Sequence, residues 1–212
     1  MSPPPLLLDL DGTLVDSLAD IAASANHVRA VFDLPPVPVE AVRAMIGDGA
    51  VALLERALAD ADRPVEAARA WPIYDAHHRQ QCTLLVRPYP GVVETLQRWR
   101  EEERPVAVVT NKPERFARSI LEHLGLDALV GALVGGDTTP ARKPAPEPLL
   151  EALRRLGQAP ERAWMAGDGI QDLRAGKAAG LRTIGALYGF QDAERLRAEG
   201  ADLFWSAFGR SA

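Results

Sequence analysis

Leu6-Leu7-Leu8-Asp9-Leu10-Asp11-Gly12-Thr13-Leu14-Val15-Asp16-Ser17 is the stretch that decides how this chain folds. Three leucines run straight into two aspartates one residue apart, and a glycine and a threonine follow at once. A short apolar run with no turn residue inside it fits a strand buried on both faces of a parallel sheet. In open α/β sheets the ligand crevice lies outside the carboxyl ends of such strands, so Asp9 and Asp11 are expected in it. Alternate residues of an extended segment point the same way. Two carboxylates so placed repel unless something positive offsets them, most simply a divalent cation. Taken alone, Asp-x-Asp-Gly also fits a polar turn at a strand end.

The rest of the chain divides into two patterns. Beyond Pro88, apolar strands are expected at 105–110, 132–134, 163–166 and 183–187, with a short edge strand at 201–205. They alternate with helical periods at 91–100, 114–124, 146–156, 170–179 (closed by Gly180) and 192–197. Such alternation gives a parallel sheet with helices on both faces. Residues 16–85 carry helical periods only. Asp16 and Ser17 cap a first helix whose stripe is Leu18, Ile21, Ala22, Ala25, Val28 and Val31. A second helix over 39–45 stops at Gly47-Asp48-Gly49, and a third runs over 50–61 with Val51, Leu54, Leu58 and Ala61 on one face. Pro64 opens a fourth, which carries Trp71, Tyr74 and His77-His78 to about Leu85; adjacent histidines on a helix point in different directions. The expected architecture is α/β: a doubly wound, Rossmann-like core of residues 1–15 and 86–212, with an all-helical cap, residues 16–85, inserted after the first strand. An insertion at that point can act as a lid over the sheet's carboxyl edge.

Composition bounds the partners. The 212 residues are 47% hydrophobic and 25% charged, with a net charge of −5. No broadly basic surface for nucleic acid is implied, and no apolar run approaches the ~20 residues needed to span a bilayer. The start, Met1-Ser2-Pro3-Pro4-Pro5, lacks the basic region of a signal peptide, so a cytoplasmic protein is expected. The one cysteine, Cys82, forms no intrachain disulfide and reads as a structural thiol. Monomer and homodimer both remain open.

Four polar constellations fall at strand ends: Asp9 and Asp11, Thr110-Asn111-Lys112, Arg142-Lys143-Pro144, and Gly167-Asp168-Gly169-Ile170-Gln171-Asp172. Each has an ordinary reading alone. Thr110-Asn111 also fits a helix N-cap, Lys143 an exposed lysine, and Asp168 and Asp172 the acids of a helix's first turn. Their joint occurrence on one sheet edge points to phosphoryl transfer through a covalent aspartyl phosphate. An ionised carboxylate needs no activating base, but the substrate phosphate needs its charge neutralised. Mg²⁺ held by Asp9 and Asp168, with Asp172 behind them, supplies that. Lys143 adds positive charge, and Thr110 with nearby backbone N–H groups donates to the phosphate oxygens. Asp11 is then free to protonate the leaving oxygen and later to take a proton from water. Gly12, Thr13 and Asn111 are expected against the substrate. So is the loop Gly47-Asp48-Gly49, whose glycines let backbone approach a small anion; a plain helix–helix turn is the other reading there. Arg56, in the next helix, fits either a substrate carboxylate or solvent.

On Asp9-Leu10-Asp11-Gly12-Thr13, Thr110, Lys143 and Gly167-Asp168-x-x-x-Asp172 the chain resembles the haloacid dehalogenase superfamily. The resemblance implies Asp9 as nucleophile and Asp11 as general acid/base. It also implies Mg²⁺ on Asp9, the backbone carbonyl of Asp11, and Asp168. A narrower set is similar to bacterial phosphoglycolate phosphatases: Gly47-Asp48-Gly49-Ala50, Tyr89-Pro90-Gly91-Val92, Thr110-Asn111-Lys112-Pro113, Lys143-Pro144-x-Pro146-x-Pro148-Leu149 and Ala175-Gly176-Lys177-Ala178-Ala179-Gly180. It implies a small phosphorylated metabolite as substrate. Two departures stand out: Gly169, expected to line the site, where many relatives have serine, and the aromatic Leu203-Phe204-Trp205. Sugar-phosphate mutase and pyrophosphatase activities share such a site. A phospho-accepting receiver module is the non-enzyme alternative, but it is shorter and lacks a helical insertion.

Overall fold

The structure is a computed structural model that describes residues 3–61 and 66–211. Strand β1 (Leu6–Leu8) leads to the two-residue β2 (Val15–Asp16). Four helices follow: α1 (Leu18–Val31), α2 (Val39–Arg43), α3 (Ala50–Ala57) and α4 (Ala67–Gln81). The chain returns through β3 (Arg87–Pro88), α5 (Val92–Glu101), β4 (Val106–Val109), α6 (Glu114–His123), β5 (Ala132–Val134) and α7 (Glu147–Leu156). It closes with β6 (Trp164–Gly167), α8 (Ile170–Ala178), β7 (Arg182–Ala186), α9 (Ala193–Glu199), β8 (Leu203–Ala207) and β9 (Arg210–Ser211).

Seven strands form one sheet in the order β5-β4-β1-β6-β7-β8-β9, parallel except for β9. The run of leucines is unbroken because both faces of β1 are covered. Leu6 and Leu8 join a cluster with Leu96 of α5 and Ile120 of α6. Leu7 joins the opposite cluster with Leu149 and Leu153 of α7 and Ala175 of α8. The chain winds outward from β1 to β5, then crosses back to β6 on the other side of β1. That reversal is the topological switch point, and the crevice opens above it. Register does the rest: Leu8 pairs with both Val108 and Ala166, so the residues that follow in the three strands leave the sheet at one level.

The helices α1–α4 pack on one another, α1 against α4, α2 and α3, and α3 against α4. The antiparallel pairs Val15–Pro88 and Asp16–Arg87 join the two ends of this helical segment. Asp16 therefore lies in a strand, and residues 16–85 are not entirely helical. The helices are also shorter than expected, α2 ending at Arg43 and α3 at Ala57. The start placed at Pro64 lies outside the described residues. Periodicity located each apolar stripe but not its width: Val31 and Val51 are exposed, while Leu53, Leu54 and Ala57 form the buried face of α3. At the far end β9 makes the outer edge, not β8. The aromatic run there has a packing role, since Trp205 is buried against Trp99 and Phe208, with ring centroids 6.4 and 5.4 Å away.

Candidate active site

Asp9, the first residue beyond β1, is 6% exposed. Its Oδ1 accepts from Leu10 N (2.7 Å) and faces Lys143 Nζ at 3.0 Å. The Lys143 ammonium also donates to Asp172 Oδ1 (2.6 Å) and the Val109 carbonyl (2.7 Å), so its three hydrogens meet three acceptors. Burial pulls Lys143 down, but the Asp172 and Asp9 carboxylates outweigh it and hold the lysine above its ordinary range. The other oxygen of Asp172 accepts from Gly169 N (2.9 Å).

Asp168 follows β6. Its Oδ1 accepts from the Thr13 hydroxyl (3.0 Å) and its Oδ2 from Phe190 N (2.8 Å). Gly12 lets the chain pass over it: φ is +84°, and a Cβ there would sit 2.3 Å from Asp168 Oδ2. Burial, then the Asp9 charge, push Asp168 up to about 7. One oxygen from each of Asp9, Asp168 and Asp172 lies within 4.8 Å of the others. Three buried carboxylates facing one ammonium leave an excess of negative charge in a dry site. Hard oxygen donors with that excess fit a divalent cation. Asp9 Oδ2 has no protein donor among the described residues, whereas both oxygens of Asp172 are engaged. Both oxygens of Asp168 accept as well, from Thr13 and Phe190, so Asp9 is the most open ligand of the three, and Asp168 differs from Asp172 in having no contact with the Lys143 ammonium.

The Asp11 carboxylate lies apart from this triad. Its oxygens meet Lys112 Nζ at 3.1 and 3.2 Å, and Oδ1 accepts from Ser17 Oγ (2.5 Å). Lys112 and Ser17 hold its side chain elsewhere on the cavity wall, which leaves its backbone carbonyl, and not its carboxylate, as the group expected toward a metal. Ser17, expected to cap α1, is engaged here, and Asp16 Oδ1 accepts from Leu18 N instead (3.2 Å).

These groups border a cavity of about 50 Å³. Thr110 and Asn111 both line it. Thr110 is no helix cap, since α6 starts at Glu114; its oxygen accepts from Lys112 N (3.2 Å), leaving its hydroxyl hydrogen to donate. Asn111 Nδ2 donates to the carbonyls of Gly47 and Lys143, both at 2.9 Å, and so ties the glycine loop to the lysine loop. Gly47 and Gly49 line the cavity, but Asp48 does not. Its carboxylate pairs with Arg56, which also donates to the Met45 carbonyl (2.8 Å), and both side chains are exposed. Thr13, expected against substrate, is fully buried and bonded to the carboxylate and the backbone N–H of Asp168.

Sequence reasoning passed over several lining residues. Lys112 belongs to the Thr110-Asn111-Lys112 constellation read at that strand end, which gave it no role, and the structure sets it on the cavity wall. Phe190 and Gln191 come from the loop beyond β7, another strand end. Ile21, Ile46, Leu53 and Tyr74 close the cavity from the helical side, and nothing in an apolar stripe marks a residue as wall and not core. Gln171 lines the cavity where Gly169 was expected; a Cβ on Gly169 would lie 2.0 Å from the Gln171 amide nitrogen. His77 and His78 pack within the helical segment, and their rings stack on different partners, His27 and Tyr74. Both Nδ1 atoms reach Ser24 Oγ, at 3.1 and 2.8 Å, because α1 packs across both. His78 is buried against Tyr74 and Phe116, and that burial depresses its pKa to about 2.

The profile of the haloacid dehalogenase-like hydrolases matches residues 6–186. The phosphoglycolate phosphatase of Chromobacterium violaceum is 40% identical over 200 residues, covering 92% of this chain and 88% of that protein. Phosphoglycolate phosphatase 1 of Pseudomonas aeruginosa is 38% identical over 205 residues, 93% of this chain and 74% of its own. Among solved structures, a predicted phosphoglycolate phosphatase from Haemophilus somnus superposes with a TM-score of 0.89 at 30% identity, covering 96% of this chain and 94% of that one.

Proposed function

The chain belongs to the haloacid dehalogenase-like hydrolase family and is a phosphatase, and on that premise we propose that it hydrolyses small phosphomonoesters through an aspartyl phosphate on Asp9. The observation that carries this reading is the Asp9 carboxylate itself. It stands at the switch point of the sheet with one oxygen engaged by Leu10 N and Lys143 and the other without a donor among the described residues. Mg²⁺ held by Asp9 and Asp168 would neutralise phosphate charge and fix the ester for attack.

Asp9 Oδ attacks phosphorus and the ester P–O bond breaks. Asp11 gives its proton to the departing oxygen. Water then attacks the phosphorus of the aspartyl phosphate, its proton passes to Asp11, and phosphate leaves with Asp9 restored. Lys143 offsets the charge around Asp9, and the Thr110 hydroxyl donates to a phosphoryl oxygen. Gly12 and Thr13 serve this step by positioning Asp168, and Asn111 by holding the Gly47 loop over the site. The division of labour follows the chain: residues 1–15 and 86–212 carry the chemistry, and residues 16–85 form a cap that closes over it.

For the substrate we infer 2-phosphoglycolate. The relatives named above carry that activity in their names, and the cavity wall sets the cation Lys112 beside Asp11, which suits a small acidic leaving group. A cytoplasmic location goes with this reading, and an unpaired, buried Cys82 suits it. Phosphate release with Mg²⁺ from 2-phosphoglycolate, hexose phosphates and pyrophosphate tests the assignment. Fastest release from 2-phosphoglycolate is expected. Phosphoryl transfer between sugars without net release would replace the hydrolase with a mutase.

A further inference from the structure

We propose that Lys112 is the specificity-determining residue of this site: its ammonium recognises a carboxylate carried by the leaving group. The inference rests on the phosphomonoesterase reading above and assigns the part of the substrate that does not react.

An elimination leads there. A leaving group with its own negative charge needs a cation on the cavity wall, and only a few side chains qualify. Lys143 is saturated by Asp9, Asp172 and the Val109 carbonyl and belongs to the phosphoryl end. The helical side offers Ile21, Ile46, Leu53 and Tyr74, none of them charged. Arg56 is turned outward onto Asp48 and the Met45 carbonyl, and Arg43 pairs with Glu40 and lies over the Phe190 ring without bordering the cavity. Arg142 is exposed, lies outside Gly49, and does not border the cavity. Among the described residues Lys112 is then the one cationic side chain that lines it.

Lys112 is also built for the task. It is 7% exposed, so water screens it little and its charge acts at close to full strength on a neighbour. Its backbone is pinned on both sides, N–H to Thr110 Oγ1 and carbonyl to Gly136 N (2.8 Å), which sets where the side chain starts. The ammonium makes two contacts, both to Asp11, at 3.1 and 3.2 Å. An ammonium has three hydrogens, so a third remains for a ligand. The lysine thus stands beside the residue that faces the leaving oxygen. A carboxylate one or two carbons from that oxygen falls within its reach.

The test uses the full chain with Mg²⁺ and two esters of similar size, 2-phosphoglycolate and ethyl phosphate, which lacks the carboxylate. The wild type is expected to prefer 2-phosphoglycolate by about 100-fold in kcat/KM, the range of one charge-assisted contact. Lys112→Met should reduce that preference to within about fivefold, and Lys112→Arg, which keeps the charge, should retain most of it. Inhibition by inorganic phosphate, which reports the phosphoryl end, should change less than about threefold and also shows that the variant is folded. Lys112→Gln gives the same readout should the methionine variant fail to fold. An equal loss on both esters would make Lys112 a positioning residue for Asp11 and overturn the proposal. So would a wild type that hydrolyses both esters equally well, with the phosphatase reading left standing. A wild type that releases phosphate from neither ester overturns that reading and this one together.

Discussion

The sheet side of the cavity presents Asp9, Asp11, Thr110, Lys112 and Asp168, while the helical side presents Ile21, Ile46, Leu53 and Tyr74. Nearly every polar atom on the first side has a named partner. Lys143 meets three acceptors, Asp168 accepts from Thr13 and Phe190, and Asp172 from Lys143 and Gly169. The second side is held to the core by the Arg115–Asp75 ion pair, by ring contacts such as His78 with Phe116, and by bonds to its loop. Two core amides bond adjacent carbonyls of its loop, Asn111 to Gly47 (2.9 Å) and Gln191 to Ile46 (3.2 Å). The contrast separates two jobs. Charged groups that must hold fixed positions during bond breaking sit on strand ends, which the ladder of the sheet makes rigid. Groups that only shape the space sit on helices whose apolar side chains share one packed cluster with the sheet side, so a substitution there alters contacts and not charge.

Substitutions on the two sides should therefore differ in kind as well as in size. The largest effect is expected at Asp9, the proposed nucleophile: Asp9→Asn should bring phosphate release to background, because an amide is a poor nucleophile. Chelation with EDTA should do the same to the wild type, with recovery on adding Mg²⁺. Asp11→Asn should lower turnover by roughly 10²–10⁴-fold, measured as phosphate release at saturating ester. On the helical side, Leu53→Ala should act on selectivity. It should cut kcat/KM for the smallest ester by about tenfold, the order expected for lost apolar contacts, while raising it for bulkier esters. A loss of all activity in that variant would erase the distinction between the two sides. The smallest change is expected for Gln191→Ala, which removes one bond to the helical loop and should raise KM a few-fold with kcat nearly unchanged.

Acid and alkali should also tell the two sides apart. His78 is neutral in the fold, its pKa depressed to about 2 by burial. As pH falls below the ordinary value near 6.5, the unfolded chain takes up a proton that the fold refuses, so the helical side loses stability. Asp168 has the opposite sign. Its pKa is raised to about 7, so in metal-free protein its contribution is present at low pH and is lost as pH rises from about 4 through 7. Hydrogen exchange, corrected for its intrinsic pH dependence, checks both. Protection in α4 should fall first in acid, and protection at the end of β6 should fall first in alkali. Mg²⁺ should reverse only the second loss.

The sequence carried much of the site because strand ends are local facts. An apolar run that closes on Asp9, Thr110 or Asp168 delivers that residue to the carboxyl edge wherever the strand lies in the sheet. Helix existence was legible for the same reason. Helix ends in residues 16–61 were not: α2 stops at Arg43 and α3 at Ala57, although the packed residues Ile46 and Leu58 lie beyond them and continue the apolar pattern. Nor could residue type tell that Asp48 turns outward to Arg56, or that His77 and His78 converge on Ser24.

What the sequence determined by itself, then, is the alternation of strands and helices, the helical interruption after the first strand, and which acids stand at strand ends. These follow from hydrophobic period and from turn residues, which act over a few positions. Only the tertiary structure decided the partners: Thr13 with Asp168 across 155 positions, Lys112 with Asp11 across 101, and Gln191 with Ile46 across 145. Such pairs arise because a buried polar atom must find its complement among whatever the packed elements bring near it. That choice is made in space, after the chain has folded back on itself.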